Sequence, residues 1–327
     1  SSAVLGRNER FKYSNVGYSL LGLIVEEVSG TPFREYVVEH VIDRLGLTDT
    51  GPDLDLVRKD DYAAGHTALA YADSRIPIEH IDTGAMSSAT GLYSTAADLV
   101  RYAAAHFEGD NRLLGTDAKR QMQHGEWTID GTEAEYGLGF EITKIGGRRV
   151  LGHGGGYPGH ITRTYFDPKD QLAVCVFTNA IDGPALGMAT AGIKLVDLAR
   201  SSAPDPAARG SNPVDLGTFC GRFASLWGVF DIAVLGGRLY QLSPSLVDPT
   251  VAPTRLDVVD VDTLLIADTA GYGSRGETLT FDRGGDGSIR SVRGGSGSTA
   301  YPIEHFRTAI AGRDRVTLGA TVRPGRT

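Results

Sequence analysis

Residues 151–160, which read LGHGGGYPGH, are the first place in the chain where residue types point to chemistry. Glycine loses much backbone entropy on folding, so a run of glycines indicates that another group must approach the main chain closely. An imidazole beside bare backbone amides is the composition of a site that stabilises developing negative charge. The alternative is a glycine-rich turn with a solvent-facing histidine, and this stretch alone does not decide between the two.

A second polar stretch, Tyr13-Ser14-Asn15, lies far upstream and directly before a predicted helix. A tyrosine beside a cationic group can release its proton and act as a general base. Asparagine offers both a donor and an acceptor, which suits the binding of a substrate amide. The competing interpretation is a polar helix start in which Ser14 or Asn15 is the N-cap.

The hydrophobic pattern predicts the helices that must position these stretches. A helix is predicted over residues 16–28, and a second one is capped by Thr31 and ends at Gly46. A third helix begins at Thr95, which has the residue type of an N-cap, and a shorter one follows Thr116. Helical periodicity returns over residues 185–200.

Between these helices the hydrophobic period changes to that of β-strands. Antiparallel strands are predicted over residues 138–143, 147–151, 161–166 and 172–178. In this arrangement His153 and its glycines join the second strand to the third.

The last part of the chain has a different character. Residues 201–213 are rich in Ser, Pro, Ala and Gly and are interpreted as a linker. Short strands with turn signals between them then predict a small antiparallel barrel or sandwich within residues 214–306. These strands are residues 219–224, 229–235, 238–242, 255–261, 264–267, 278–282 and 289–293. Residues 307–327 are interpreted as a C-terminal tail.

Several of these motifs, taken in order, resemble the serine β-lactamase and penicillin-binding-protein family. The resemblance is carried by residues 11–22 (FKYSNVGYSLLG), 91–99 (GLYSTAADL) and 136–140 (YGLGF). His153-Gly-Gly stands where the family has its Lys-Thr-Gly or His-x-Gly strand motif. Within the family, the chain looks most like class C-like esterases, D-amino-acid peptidases and related acyl transferases.

The resemblance covers residues 8–200 and implies an α/β fold for residues 1–200. That fold is an antiparallel sheet flanked by helices, with a helical subdomain. Residues 214–306 are similar to the all-β, lipocalin-like barrel that follows the hydrolase domain in several such proteins. The resemblance therefore predicts two domains joined by the linker at residues 201–213.

The resemblance also implies catalytic roles. Tyr13 would accept a proton from the nucleophilic serine and later donate it to the leaving group. Asn15 would bind the carbonyl or amide of the substrate. His153 would support the charge state of Tyr13 or relay its proton, where relatives use lysine.

The glycines after His153 would form the oxyanion and substrate-binding edge. Gly154 and Gly155 belong to this edge, and Gly156 would supply one backbone N–H of the oxyanion hole. One such donor contributes about 3 kcal/mol of transition-state stabilisation. Tyr157 would line the substrate cleft, with ordinary packing as the alternative.

The sequence lacks the Ser-x-x-Lys motif that carries the family's nucleophile upstream of the tyrosine motif. The nearest substitute, Thr116-Asp-Ala-Lys119, lies downstream of Tyr13, and Thr116 is better explained as an N-cap. Ser1 could serve as an N-terminal nucleophile only in a different fold. We therefore expect a companion N-terminal segment, or a separate chain, to carry the nucleophile and to cover an exposed sheet edge.

The leading hypothesis is a serine hydrolase or acyl transferase that forms an acyl-enzyme on a small peptide, amide or ester and needs no cofactor. The alternative is a non-catalytic binding protein that retains the cleft. A metal site using His153 and His160 is disfavoured, because no acidic ligand stands at helical spacing from them.

Composition excludes further classes. The net charge of -8 argues against nucleic-acid binding, which needs clustered Lys and Arg. No run of about eighteen apolar residues occurs, so no membrane-spanning helix is expected. The two cysteines, Cys175 and Cys220, do not form a disulfide framework. A homo-oligomer is compatible with the sequence.

Overall fold

The computed structural model describes residues 5–6, 9–201, 214–270, 274–294 and 297–314. The chain divides into two compact units, with the boundary between Thr190 and Ala191. The predicted linker lies outside the described residues except for Ser201, which ends a helix. The predicted tail lies outside them beyond Asp314.

The first predicted helix is confirmed as α1, Asn15–Ser29. The Ser14 hydroxyl caps it by accepting the N–H of Gly17 at 3.0 Å. At its other end Gly30 adopts a left-handed conformation with φ of 69°, which glycine accepts without steric cost. Local capping chemistry therefore determines where the chain leaves the Tyr13 stretch and enters the helix.

The second predicted helix is interrupted. It consists of α2, Phe33–Val37, a π-helical turn, Val38–Ile42, and α3, Asp43–Leu45. Its N-cap is Pro32, without a side-chain hydrogen bond, so the prediction that Thr31 caps it was wrong by one residue. The predicted stop at Gly46 is confirmed by its left-handed conformation.

Three more helices complete the helical part of the first unit. They are α4, Ser87–Thr90, α5, Ala96–Ala104, and α6, Thr116–Met122. The Thr95 side chain caps α5 as predicted, because it accepts the N–H of Asp98 at 3.2 Å. The N-cap of α6 is Gly115, so Thr116 is the first helical residue and its predicted capping role was wrong.

The strands of the first unit form a two-stranded ladder and one six-stranded antiparallel sheet. The ladder is β1, Gly65–His66, with β2, Pro77–Ile78. The sheet runs in chain order through β3, Trp127–Thr128, β4, Glu135–Tyr136, β5, Glu141–Ile145, β6, Arg148–Tyr157, β7, His160–Asp167, and β8, Leu172–Thr178. Ile142, Leu151 and Phe166 of this sheet pack with Ala103 of α5 in a buried cluster.

The glycine-rich stretch is part of a strand. β6 continues through Tyr157 and pairs with β7 from Leu151↔Phe166 to Tyr157↔His160. Pro158-Gly159 makes the tight turn, with Gly159 at a φ of 83°. The alternative that His153 sits in a glycine-rich turn was therefore wrong.

A long helix, α7, Ala185–Ser201, leads into the second unit. A 3-10 helix, Leu216–Phe219, precedes eight strands that close into an antiparallel barrel. The strands are β9, Gly221–Ser225, β10, Gly228–Leu235, β11, Arg238–Leu242, β12, Thr254–Asp260, β13, Thr263–Asp268, β14, Thr278–Arg283, β15, Ile289–Gly294, and β16, Thr299–Pro302. Helix α8, Ile303–Ile310, follows and crosses the boundary predicted at residue 306.

The barrel confirms the predicted all-β fold, although the strand Thr299–Pro302 was not among those predicted. Its interior is filled by aromatic and aliphatic side chains, each at most 9% exposed. Phe219 and Phe281 meet edge to face with 5.0 Å between ring centroids. Small barrels with this number of strands are commonly filled largely by their own side chains. Here a cavity of about 230 Å³ remains beside this core, lined in part by Phe230, Ile266 and Leu279.

Candidate active site

His153 lies in the middle of β6, opposite Thr164 of β7, and its ring is half-buried. Its Nδ1 is 2.5 Å from the carbonyl oxygen of Gly154, and its Nε2 is 3.0 Å from the Tyr136 hydroxyl. A carbonyl oxygen only accepts, so Nδ1 donates. In the neutral ring Nε2 must then accept the Tyr136 proton. Both ring nitrogens are therefore occupied within this unit.

The structure brings Tyr13 and His153 together, as the sequence predicted. Their rings stack with 5.8 Å between centroids and 30° between planes. Tyr13 is 53% exposed, so its hydroxyl is open to solvent or to a further group. The contact is made through ring faces, and Tyr13 therefore meets the imidazole π-face while the ring nitrogens point elsewhere.

Asn15 is the first residue of α1 and is half-buried. Because Ser14 supplies the N-cap, the Asn15 amide is not needed to start the helix. The interpretation of this stretch as a polar cap is thus correct for Ser14. Asn15 lies two residues after Tyr13, and its role in substrate binding stays a prediction.

The outer edge of β6 is open beyond Gly152. Pairing between β5 and β6 runs from Ile145↔Arg148 to Glu141↔Gly152 and stops there. In the part of the chain that the structure describes, residues 153–157 pair with β7 on one side only. Gly155 and Gly156 are exposed at this edge, where a substrate carbonyl could reach a backbone amide.

The glycines of β6 differ in how much room their surroundings leave for a side chain. A Cβ at Gly152 would lie 1.8 Å from the Thr164 carbonyl oxygen, and one at Gly155 would lie 2.4 Å from the Thr162 hydroxyl. A Cβ at Gly154 would lie 3.3 Å from Arg163 Nη1. At Gly156 the nearest atom would be 3.8 Å away, an ordinary contact. Packing therefore explains Gly152 and Gly155, whereas nothing in the described surroundings requires glycine at 156.

An ion pair crosses β6 on the strand face that carries Gly152 and Gly154. Glu141 stands opposite Gly152, and Arg163 stands opposite Gly154. Because neither glycine has a side chain, Arg163 reaches Glu141 with two hydrogen bonds of 2.9 and 2.7 Å. The guanidinium also lies 4.3 Å from the Tyr165 ring centroid. Burial is the largest single effect and opposes the charge of Arg163, but the hydrogen bonds and charge of Glu141 and the neighbouring Tyr165 together raise the Arg163 pKa.

Tyr157 is held by the main chain of a neighbouring loop. Its hydroxyl donates to the carbonyl oxygen of Ile81 at 2.7 Å and accepts the N–H of the same residue. Its ring lies 5.8 Å from the His160 ring. The hydroxyl is thus already used, and any contact of Tyr157 with a substrate would come from its ring.

His160 lies at the start of β7 and does not join His153. Its Nε2 is 3.0 Å from the carbonyl oxygen of Ala63, and its Nδ1 is 3.3 Å from that of Pro158. Both ring nitrogens thus lie near backbone carbonyls, and in the neutral ring only one of them can donate.

Sequence reasoning missed the role of Tyr136. It quoted this residue only as part of the motif at 136–140, yet Tyr136 is 8% exposed and its hydroxyl contacts His153. Its ring packs against Phe11 with 4.7 Å between centroids. Burial first, and then the neighbouring tyrosines Tyr18 and Tyr13, raise the Tyr136 pKa. The available signal was a tyrosine beside two glycines in an otherwise apolar motif.

The Thr116–Lys119 pair has a structural role. The Lys119 ammonium is buried and donates to the carbonyl oxygen of Phe107 at 2.6 Å and to that of Asp110. With its protons directed to the main chain, this lysine cannot serve as a general base for Thr116.

Two surface features of the first unit are uncovered, an apolar helix face and a strand edge. One face of α1, formed by Val16, Leu20, Leu23, Ile24 and Val28, has side chains that are between 55% and 82% exposed. In addition, β8 is the last strand of the sheet order, so its outer edge has no strand partner among the described residues. Contiguous exposed apolar faces and unpaired strand edges on a folded unit often mark an interaction site. No helix in the described ranges is long and apolar enough to cross a bilayer.

Comparison with known proteins extends these observations. The family model described as Beta-lactamase matches residues 6–196. Penicillin-binding protein 4* of Bacillus subtilis (strain 168) is 26% identical over 178 residues, which cover 50% of this chain and 39% of that protein. D-aminopeptidase of Gluconobacter oxydans (strain 621H) is 23% identical over 253 residues, covering 77% of this chain and 46% of that protein. The chain thus spans less than half the length of either relative.

A solved structure shares the fold. The octameric penicillin-binding protein homologue from Pyrococcus abyssi superposes with a TM-score of 0.54 at 23% sequence identity. The superposition covers 91% of this chain and 66% of that chain.

Proposed function

Because this chain belongs to the beta-lactamase family, we propose that it supplies the proton-transfer and oxyanion side of a serine hydrolase or acyl transferase site. The observation that carries the proposal is the stacking of Tyr13 on His153, with 5.8 Å between ring centroids, from opposite ends of the first unit's sequence. The open edge of β6 beside this pair offers backbone amides where charge would develop.

The proposed reaction proceeds through an acyl-enzyme. In this reaction Tyr13 acts in its deprotonated form. It accepts the proton of the serine hydroxyl while the serine oxygen bonds to the substrate carbonyl carbon. The resulting oxyanion is stabilised by the N–H of Gly156. When the tetrahedral species collapses, the bond to the leaving amine or alcohol breaks and Tyr13 returns the proton to it. Water or an amine then attacks the acyl-enzyme by the same steps in reverse order.

The remaining residues position these groups. Asn15 binds the substrate carbonyl or amide from the start of α1. His153 holds its ring against Tyr13 and, on taking up a proton, places positive charge beside the phenol. Gly154 and Gly155 have no side chains that would keep a substrate from lying along the strand edge. The ring of Tyr157 borders that edge.

The nucleophile belongs, in this proposal, to a companion segment or chain distinct from residues 1–327. Three observations support this. The sequence has no Ser-x-x-Lys motif. The α1 face and the β8 edge are uncovered among the described residues. The relatives are more than twice as long as the part of them that this chain matches.

We propose the substrate class by analogy with two relatives. A penicillin-binding protein and a D-aminopeptidase are relatives that support a small peptide, amide or ester as the substrate. The octameric state of the Pyrococcus abyssi homologue supports a homo-oligomer, which light scattering of the purified full-length product would detect.

Covalent labelling of the full-length gene product tests the proposal. A fluorophosphonate or penicillin should add one equivalent to a serine of the companion segment, as seen by intact mass spectrometry. Tyr13→Phe should slow the acylation by roughly 10²- to 10⁴-fold, because it removes the proton acceptor. Tyr71→Phe, which alters a tyrosine that is 73% exposed, is the matched control and should leave the rate unchanged.

The alternative function makes the opposite prediction. A non-catalytic binding protein that retains the cleft would bind such compounds reversibly and form no covalent adduct. Absence of any adduct with both reagents, on a folded sample, would therefore replace the hydrolase proposal with that alternative.

A further inference from the structure

The imidazole of His153 is held by two hydrogen bonds that do not involve Tyr13. The Nε2 of His153 is 3.0 Å from the Tyr136 hydroxyl. On the other side of the ring, Nδ1 is 2.5 Å from the Gly154 carbonyl oxygen. The imidazole is thus held at both nitrogens while its face rests on Tyr13.

We propose that Tyr136 is a positioning residue that fixes His153 as the Nδ1–H tautomer and keeps the imidazole face turned towards Tyr13. The part of this inference that concerns catalysis rests on the proposed function. The assignment of tautomer and orientation stands on the geometry alone.

The direction of each bond follows from what its partners can do. The Gly154 carbonyl has no proton, so it selects the tautomer with hydrogen on Nδ1. Nε2 then needs a donor, and Tyr136 supplies it. Rotating the imidazole about its Cβ–Cγ bond would break both ring contacts at once.

The packing of Tyr136 explains why this donor is reliable. Its side chain is buried against Phe11, and the strand pairing Tyr136↔Glu141 holds its backbone beside β5. Burial also keeps its hydroxyl protonated, because it raises the Tyr136 pKa. A buried phenol that retains its proton is a fixed donor, and it is well suited to hold an imidazole in one tautomer.

Nitrogen NMR of the full chain labelled with 15N-histidine tests the assignment directly. At a pH where the imidazole is neutral, His153 should show a protonated Nδ1 and an unprotonated Nε2. The His153 signals are identified by their loss in His153→Ala. Wild-type signals that show Nε2 as the protonated nitrogen would overturn the proposal without any further variant.

Variants separate positioning from packing. Tyr136→Phe keeps the ring against Phe11 but removes the donor, so the tautomer ratio should change roughly tenfold, the effect of one hydrogen bond at the upper end of its usual range. Phe11→Leu is the matched control, because it loosens the packing and keeps the hydroxyl. Tyr18→Phe should change the ratio less than Tyr136→Phe does.

The outcomes are decisive in either direction. An unchanged tautomer ratio in Tyr136→Phe, or an equal change in Phe11→Leu, would show that Tyr136 acts only through packing. The readout needs no catalytic turnover, so it remains valid if the labelling experiment fails. Conversely, successful labelling with an unchanged tautomer ratio would preserve the hydrolase proposal and reject this one.

Discussion

The barrel and the sheet-containing unit differ in how their strand edges are paired and in where their exposed apolar side chains lie. The described strands of the barrel close on themselves and leave no edge strand. Its exposed apolar side chains, such as Trp227 at 81%, are scattered outside the buried core cluster. In the first unit, Leu23 is 60% and Val28 is 82% exposed on one face of α1, and the sheet keeps an unpaired edge at β8 among the described residues. The barrel thus completes its strand pairing internally, whereas the first unit leaves both a strand edge and an apolar helix face open.

The barrel is thus a closed structural unit, whereas the first unit carries the proposed site. The barrel interior holds packed side chains, and its large aromatic residues contact one another. The first unit holds the histidine, the tyrosines and the open strand edge on which the proposed chemistry depends. Its uncovered apolar face is the surface on which the proposed companion segment would pack. The following changes test this contrast.

The largest effect is expected in the barrel core. Phe281 is 3% exposed and contacts the rings of Phe219 and Phe223, so Phe281→Ala should lower the barrel's free energy of unfolding by about 3–5 kcal/mol. Denaturant titration followed by circular dichroism measures this loss. Val261→Ala, at a side chain that is 63% exposed, is the control and should stay within about 0.5 kcal/mol. Equal losses would contradict the description of a closed, self-sufficient core.

The next effect concerns the ion pair behind β6. Glu141→Leu would leave Arg163, which is 8% exposed, without its partner. Breaking a buried pair in this way should cost about 3 kcal/mol of unfolding free energy, the lower end of the usual range because Glu141 keeps some exposure. Adding Arg163→Met to the same chain should recover most of the loss. Thermal unfolding of the single and double variants would show it, and no recovery would mean that the pair is not the cause.

Lowering the pH should reduce the free energy of unfolding of the first unit more than that of the barrel. Burial, and then the charge of Lys119, lowers the pKa of His106 to about 4 from its usual 6.5. Between pH 6.5 and pH 4 the His106 side chain is therefore protonated in the unfolded chain and neutral in the folded chain. The free energy of unfolding is highest above pH 6.5 and falls as the pH drops towards 4. The loss should reach about 2 kcal/mol at pH 5.

Unfolding curves at pH 8 and pH 5 measure this slope, and His106→Leu should flatten it. The second unit is the internal control, because its one histidine, His305, is exposed. A slope that survives the His106 substitution would assign the acid sensitivity to other groups.

The smallest effect is expected on the exposed α1 face. Leu23→Ser should change the unfolding free energy of the present chain by less than about 0.5 kcal/mol, because Leu23 is 60% exposed. In the full-length gene product, where the companion segment would cover this face, the same change should cost at least about 2 kcal/mol. Calorimetry of both forms makes the comparison, and a negligible cost in both would argue against a companion on α1.

Local signals in the sequence were sufficient to predict elements whose ends are capped. The helix predicted over residues 16–28 is Asn15–Ser29, since Ser14 and Gly30 mark its ends by side-chain and backbone chemistry. The contact between Tyr13 and His153 was predicted through family resemblance. Periodicity alone could not have produced it, because it joins residues far apart in the chain.

Elements that depend on distant partners were harder to predict. The glycines of β6 have poor strand propensity, yet pairing with β7 and the Glu141–Arg163 contact keep them extended. The strand Thr299–Pro302 was missed because it has four residues, follows a glycine-rich segment and ends in proline, so it has little local signal. Tyr136 was quoted but given no role, because its hydroxyl partner comes from another strand.

The glycines of β6 leave different amounts of room for a side chain, and this has a consequence for protein engineering. Saturation mutagenesis at 152 would yield almost nothing but misfolded product, since any added carbon would collide with the Thr164 carbonyl oxygen. Position 156 has extended backbone and an ordinary neighbour at 3.8 Å, so it can accept alanine, serine or larger residues. A designer who wishes to alter selectivity along this edge should begin the library there and leave 152 untouched.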